Sequence, residues 1–314
     1  MARVVATYPT ASAPGSDSIL DLPERTLWGD AWRRFRAHNL ARFGLVLYLL
    51  IAVTVVAGPF VWTIPVGQID FTRSNAGVTW DHPMGTDDLG RDTFARVLLG
   101  GRVSVAVGIA AMLISISIGV FVGASAGFFG GKVDLVLSRV IEVFLSIPQL
   151  PLLLVVTYLF RPIFVNALGP EIGVFVMIVS VIGGLNWMAT SRLVRAGFLS
   201  LREREFIEAC RCLGVGPGRI ILRHMLPNTL SPVIVSATLA VGSAMIAEAT
   251  LSFLGLGFPP DFPTWGRLLN DAQNYITLNP LMAIFPGMCI FLAVLCVNFV
   301  GDGLRDALDT RRAA

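Results

Sequence analysis

Few residues in this sequence are placed to do chemistry, and those few point away from catalysis. His82, Asp87, Asp88 and Asp92 share one hydrophilic stretch and could ligate a hard cation. More plainly, Thr86, Asp87 and Asp88 cap a surface helix, because acids are favoured at a helix N-terminus. The nearest approach to a phosphate loop is GFFGGKV, Gly127 to Val133. A P-loop needs glycine five residues before its Gly-Lys pair and a hydroxyl residue after it, and here Ala126 and Val133 hold those positions. Cys210 with Cys212, and Cys289 with Cys296, form neither a disulfide framework nor a zinc pattern and read as packing residues. His38, His82 and His224 all lie outside the apolar runs, which argues against a membrane-embedded enzyme.

Within the apolar runs, Glu248 is the only carboxylate set well inside one. An ionisable group there costs a few kcal/mol and so marks either a substrate pathway or a tie to the adjacent LSFLGLG turn. Gln149, Asn186 and Asn298 are the other polar candidates for a pathway lining, and each could equally bond helix to helix.

The elements that must position these residues are membrane spans. The 314 residues are 54% hydrophobic and 14% charged, against roughly 25% charged in soluble domains. The net charge of +3 is too small to indicate nucleic-acid binding. Apolar runs long enough to cross a bilayer recur near 43–65, 103–131, 140–160, 172–191, 225–257 and 281–301. These predict an all-α integral membrane protein with six spans, the third kinked at Pro148 and Pro151. Arginines concentrate in the segments that lie inside if both termini are cytosolic, which sets that orientation. Of the six exceptions, Arg73, Arg91, Arg96 and Arg102 lie in the first outer loop, and Arg161 and Arg267 lie beyond it. Residues 1–22 read as a mobile tail and 23–42 as an amphipathic helix on the cytosolic membrane surface, with Trp28, Trp32 and Phe35 on one side. Gly119, Gly123 and Gly127 form a small-residue stripe suited to close helix packing inside the subunit.

Residues 192–224 form the one long cytosolic loop within the bundle. Ser200 and Glu203 have the spacing of a capping box, which predicts a helix from Leu201 to Leu213. Phe206, Ala209, Cys210 and Leu213 would make its apolar stripe, Gly214 its left-handed stop, and Gly216-Pro217 the start of a second short helix. Such a helix could dock on another protein or pack on its own bundle.

The stretch EFIEACRCLGVGPGRIILRHMLPN resembles the EAA loop of ATP-binding-cassette (ABC) importer permeases, with Glu208, Ala209, Gly214, Leu226 and Pro227 at the matching positions. Cys210 and His224 depart from that pattern. Segments His82 to Arg102, Ala247 to Gly257 and Asn298 to Arg311 are similar to the dipeptide/oligopeptide/nickel branch of the family. The resemblance implies a type I ABC importer permease fold in a bacterial cytoplasmic membrane. It implies a second homologous permease, one or two cytosolic ATPases carrying ATP and Mg, an extracytoplasmic solute-binding protein, and no cofactor on this chain. Short peptides would be the cargo, with nickel, haem or another small solute as alternatives and an ion-driven secondary transporter as the rival class. Contacts to the ATPase would come from Arg204, Glu205, Phe206, Glu208, Ala209, Cys210, Leu213, Gly214, Leu226 and Pro227.

Overall fold

The structure, a computed structural model, describes residues 27–308; the segment 1–22 lies outside them. Every regular element among the described residues is helical. Helix α1 (Leu27–Ala37) leads into α2 (Asn39–Val61), and after the outer loop come α3 (Thr93–Phe129), α4 (Gly131–Ser146) and α5 (Gln149–Leu168). Then follow α6 (Pro170–Leu185), α7 (Met188–Arg202), α8 (Glu205–Cys212), α9 (Pro217–Arg219), α10 (Leu226–Phe253), α11 (Trp265–Ala272) and α12 (Leu281–Leu308). Five of these segments are each long and apolar enough to cross a membrane, and α6 with α7, bent by 42° at a short break, makes a sixth.

Span boundaries differ from the sequence expectation in ways that have physical causes. The second span starts at Thr93 because Asp92 caps it, accepting from the Ala95 amide at 2.8 Å. Thr86, Asp87 and Asp88 therefore do not cap a helix, and much of the expected outer loop is the first turns of α3. The third span is broken outright: Ile147 and Pro148 are extended, so α4 is a separate amphipathic helix and α5 alone is the apolar crossing. The last span runs on to Leu308. Ser200 and Glu203 form no capping box, since α7 continues through Ser200 to Arg202, with Val194 and Phe198 buried beneath it.

Within α2, Pro59 lacks the amide that would bond the Val55 carbonyl. Arg102 of α3 supplies that donor, its Nε lying 2.9 Å from Val55 O, and its guanidinium stacks over Phe60. A backbone gap in lipid is thus filled by a side chain. Phe35 of α1 is buried against Ala41 and Ala307 and stacked on Trp32, which folds the surface helix onto the end of α12.

The glycine stripe of α3 lies against α7. A Cβ on Gly119 would stand 2.7 Å from Thr190 Cβ, and one on Gly127 would stand 2.5 Å from Phe198 Cβ. Only hydrogen fits, and the two backbones come together as in small-residue packing generally. Substituting Gly119 or Gly127 with leucine should cost about 1–3 kcal/mol or more through overpacking. That loss should appear as a lowered unfolding midpoint of the detergent-purified protein, whereas leucine at the partly buried Gly184, where a Cβ meets nothing within 4 Å, should leave it unchanged.

Candidate coupling surface and transmembrane groove

Helix α8 hangs from the end of α7 by a two-residue link, Glu203 and the extended Arg204. Ile207 is the one fully buried side chain that α8 contributes. It lies among Phe128, Val194, Phe198, Ile220 and Met225, and Arg211 reaches over the Phe128 ring. Gly214 has φ +73°, and the Val215 amide donates to Cys210 O at 3.0 Å, closing the helix end. Gly216 then caps α9 with Pro217 at its first position, and a π-helical turn over Ile220–Met225 joins α10.

The expected apolar stripe is divided by this arrangement. Cys210 turns inward beside Ile207, while Phe206 (43% exposed), Ala209 and Leu213 (82% exposed) face outward with Arg204, Glu205 and Glu208. Leu226 joins the cluster under α8, and Pro227 is exposed. Sequence reading passed over Ile207, although its i, i+3 spacing with Cys210 marked an inward face. A well-anchored helix thus presents an apolar strip that covers nothing in the described chain.

Two further contacts bind α7 to its surroundings. Arg195 donates to Asp134 of α4 from Nε and, at 2.7 Å, from its NH2 group, which holds the Asp134 carboxyl below the usual carboxylate range. The ring of Trp187 meets Phe144 of α4.

At the other end of the bundle, Asp87 and Asp92 of the loop before α3 are held by partners of their own. Asp87 accepts from Arg91 at 2.7 Å and Arg96 at 2.9 Å, and Arg96, 2% exposed, also reaches Asp271 of α11 at 3.1 Å. Asp92 accepts from Trp62 Nε1 at 2.7 Å and pairs with His82 Nδ1 at 2.9 Å. This pairing leaves the set without the open, convergent oxygens of a hard-cation site. The knot joins the loop, the start of α3 and α11. Burial raises the Asp271 carboxyl pKa, opposed by Arg267 and Arg96.

Glu248 is completely buried, its carboxylate accepting from Ser104 of α3 at 3.0 Å and from Ser252 at 2.8 Å. The Ser104 hydroxyl in turn accepts from the Trp265 amide at 3.3 Å, so three helices meet at this group. Ser252 is part of the LSFLGLG segment, so Glu248 ties the start of that turn to α3, while Arg161 ties its end by donating to Leu256 O and Gly257 O. Gln149 and Asn186 are bonded to each other at 2.6 Å. Asn298 is exposed on α12, near Gly242 of α10. Asn186 also borders a cavity of ≈ 230 Å³ whose polar lining is Ser115, Thr190, Ser236 and Ser243, all hydroxyls. It carries no charge.

Residues 119–314 match the family described as the binding-protein-dependent transport system inner membrane component. The chain belongs to this family. Residues 26–77 match the N-terminal TM domain of oligopeptide transport permease C. Relatives span nearly the full length. The glutathione transport system permease protein GsiD of Pectobacterium atrosepticum is 38% identical, covering 93% of this chain and 94% of its own. The dipeptide transport system permease protein DppC of Alkalihalophilus pseudofirmus is 36% identical over 90% of each. The oligopeptide transport system permease protein OppC of Haemophilus influenzae is 36% identical over 93% of this chain and 91% of its own. A chain of the MetNI methionine ABC transporter, solved in an inward-facing crystal form, has the same fold at 20% identity, with TM-score 0.54 and coverage of 69% of this chain and 97% of that one. This is therefore a multi-pass inner-membrane permease subunit of an ABC importer.

For this permease, Glu248→Ala should leave the Ser104 and Ser252 hydroxyls without their shared acceptor, at about 1–3 kcal/mol. The expected readout is a lowered unfolding midpoint in detergent. An unchanged midpoint with lost transport would instead place Glu248 on the solute pathway.

Proposed function

We propose that this subunit, paired with a second homologous permease, carries short peptides inward across the cytoplasmic membrane, driven by ATP bound with Mg on one or two separate cytosolic ATPases. An extracytoplasmic binding protein delivers the solute. The observation that carries the reading is α8: a short helix anchored by Ile207 with Phe206, Ala209 and Leu213 exposed and Glu205 and Glu208 beside them. An apolar strip edged by charge is the form of helix that fits a groove on a partner. ATPase contact is assigned to this face and to its supports Cys210, Gly214, Leu226 and Pro227. Peptide cargo is supported by the names of the three relatives and by the uncharged, hydroxyl-lined groove at Asn186, which suits transient hydrogen bonding to a peptide backbone.

The same reading puts both termini and α8 in the cytosol. Of the six arginines that oppose this orientation, Arg91 and Arg96 are paired to Asp87, Arg102 donates to α2 carbonyls, Arg73 contacts His82 and Asp70, Arg161 donates to Leu256 O and Gly257 O, and Arg267 pairs with Asp271. They act as structural groups of the outer face rather than as free positive charge.

Exchange of Glu208 for lysine, or Leu213 for aspartate, should lower ATP-dependent peptide uptake at least about tenfold, since hot-spot truncations cost 2 kcal/mol or more. The ATPase should fail to co-purify while the permease still inserts. Orientation is checked with the native thiol of Cys212, which is exposed. A membrane-impermeant maleimide should label it in inside-out vesicles and not in intact cells.

A further inference from the structure

Resting on the coupling role given to α8, we propose that Gln149 and Asn186 are positioning residues for transport. Their hydrogen bond is a latch across two aligned helix breaks, and it sets the angle at which α7, and α8 with it, meets the outer half of the bundle. Two chains of observation converge on this pair. The first is topological. The polypeptide leaves helical geometry at Ile147–Pro148, between α4 and α5, and again at Asn186–Trp187, between α6 and α7, where the axis turns by 42°. Neither break is isolated in the bundle, because Gln149 Nε2 donates to Asn186 Oδ1 across them at 2.6 Å.

The second is mechanical. On the inner side, α4 and α7 are joined by Asp134–Arg195 and by Phe144 against Trp187. On the outer side, α5 and α6 share an apolar core that includes Leu153, Val174 and Met177. Each pair is internally held, and the two meet at the breaks. Around this junction lies a cavity of ≈ 360 Å³ lined from both breaks, by Ile147, Pro148 and Gln149 on one side and Leu185, Asn186 and Met188 on the other. The cavity opens to the surface and both members of the amide pair line it. Unfilled space at a bend gives room for the bend to change. α3 crosses both halves without a break, and α7 packs closely along its stripe of Gly119, Gly123 and Gly127. Hinge closure of this kind places its flexible residues at element ends. Pulling α8 toward an ATPase swings α7 about Asn186, and the latch determines whether the swing is held until solute arrives.

The test is a double-mutant cycle on the complete complex in proteoliposomes, with uptake and ATP hydrolysis measured together. Gln149→Ala and Asn186→Ala should each raise solute-independent hydrolysis about two- to tenfold, the range a net hydrogen bond covers, with ATPase co-purification unchanged. Because one bond is broken either way, the double variant should match the single ones. Additive effects would overturn the latch. So would variants that change only the solute concentration for half-maximal uptake, which is the signature of a pathway lining. Should an alanine variant fail to insert, a cysteine pair at 149 and 186, with the native cysteines replaced by serine, carries the test. Its confirmed disulfide should stop uptake until reduced, and undiminished uptake in the oxidised form would overturn the proposal. A wild-type complex whose uptake ignores ATP would overturn the coupling role of α8 instead.

Discussion

The contact between α3 and α7 is the constraint on which the other features depend. Apolar side chains gain nothing from one another over lipid, so helices in a membrane are held by close packing and hydrogen bonds. The absence of side chains at Gly119, Gly123 and Gly127 brings α7 against α3. That approach fixes where α7 ends, and hence where α8 emerges. It also carries Phe128 into position to bury Ile207, so the rigidity of the exposed helix traces back to three hydrogens on another span.

Among the described residues, three of the costliest polar groups are answered within the subunit. Arg96 is divided between Asp87 and Asp271, and Glu248 gathers the hydroxyls of Ser104 and Ser252. Arg102 answers the gap that Pro59 leaves in α2. The cavity beside Asn186 is lined by apolar side chains with four hydroxyls and that amide, and it holds no charged group.

In the proposed orientation, the cytosolic and outer ends are built for opposite tasks. At the outer end, the Asp87–Arg96–Asp271 knot and the Asp92 cluster tie loop to helix, making a stiff rim. At the cytosolic end, α8 buries Ile207 fully while its apolar strip stays open. A helix anchored on one face and exposed on the other can transmit a displacement.

Six apolar crossings, their all-helical class, the Gly214 stop and the Pro217 restart were legible in the chain itself. Each is a local property of hydropathy, backbone freedom or ring geometry over a few residues. The family was identified there too, by the resemblance of the EAA-like stretch to known permeases rather than by its spacing alone. Tertiary structure decided the rest. Ser200 and Glu203 have the spacing of a cap, yet burial of Val194 and Phe198 carries α7 past them, because packing outweighs a capping preference of about 1 kcal/mol. Which side of α8 faces out depended on Phe128, Phe198 and Ile220, distant in sequence from Ile207. The partnership of Gln149 with Asn186, and of Glu248 with Ser104, required helices to be brought together. Spacing along one chain holds no record of a hydrogen bond made across the bundle.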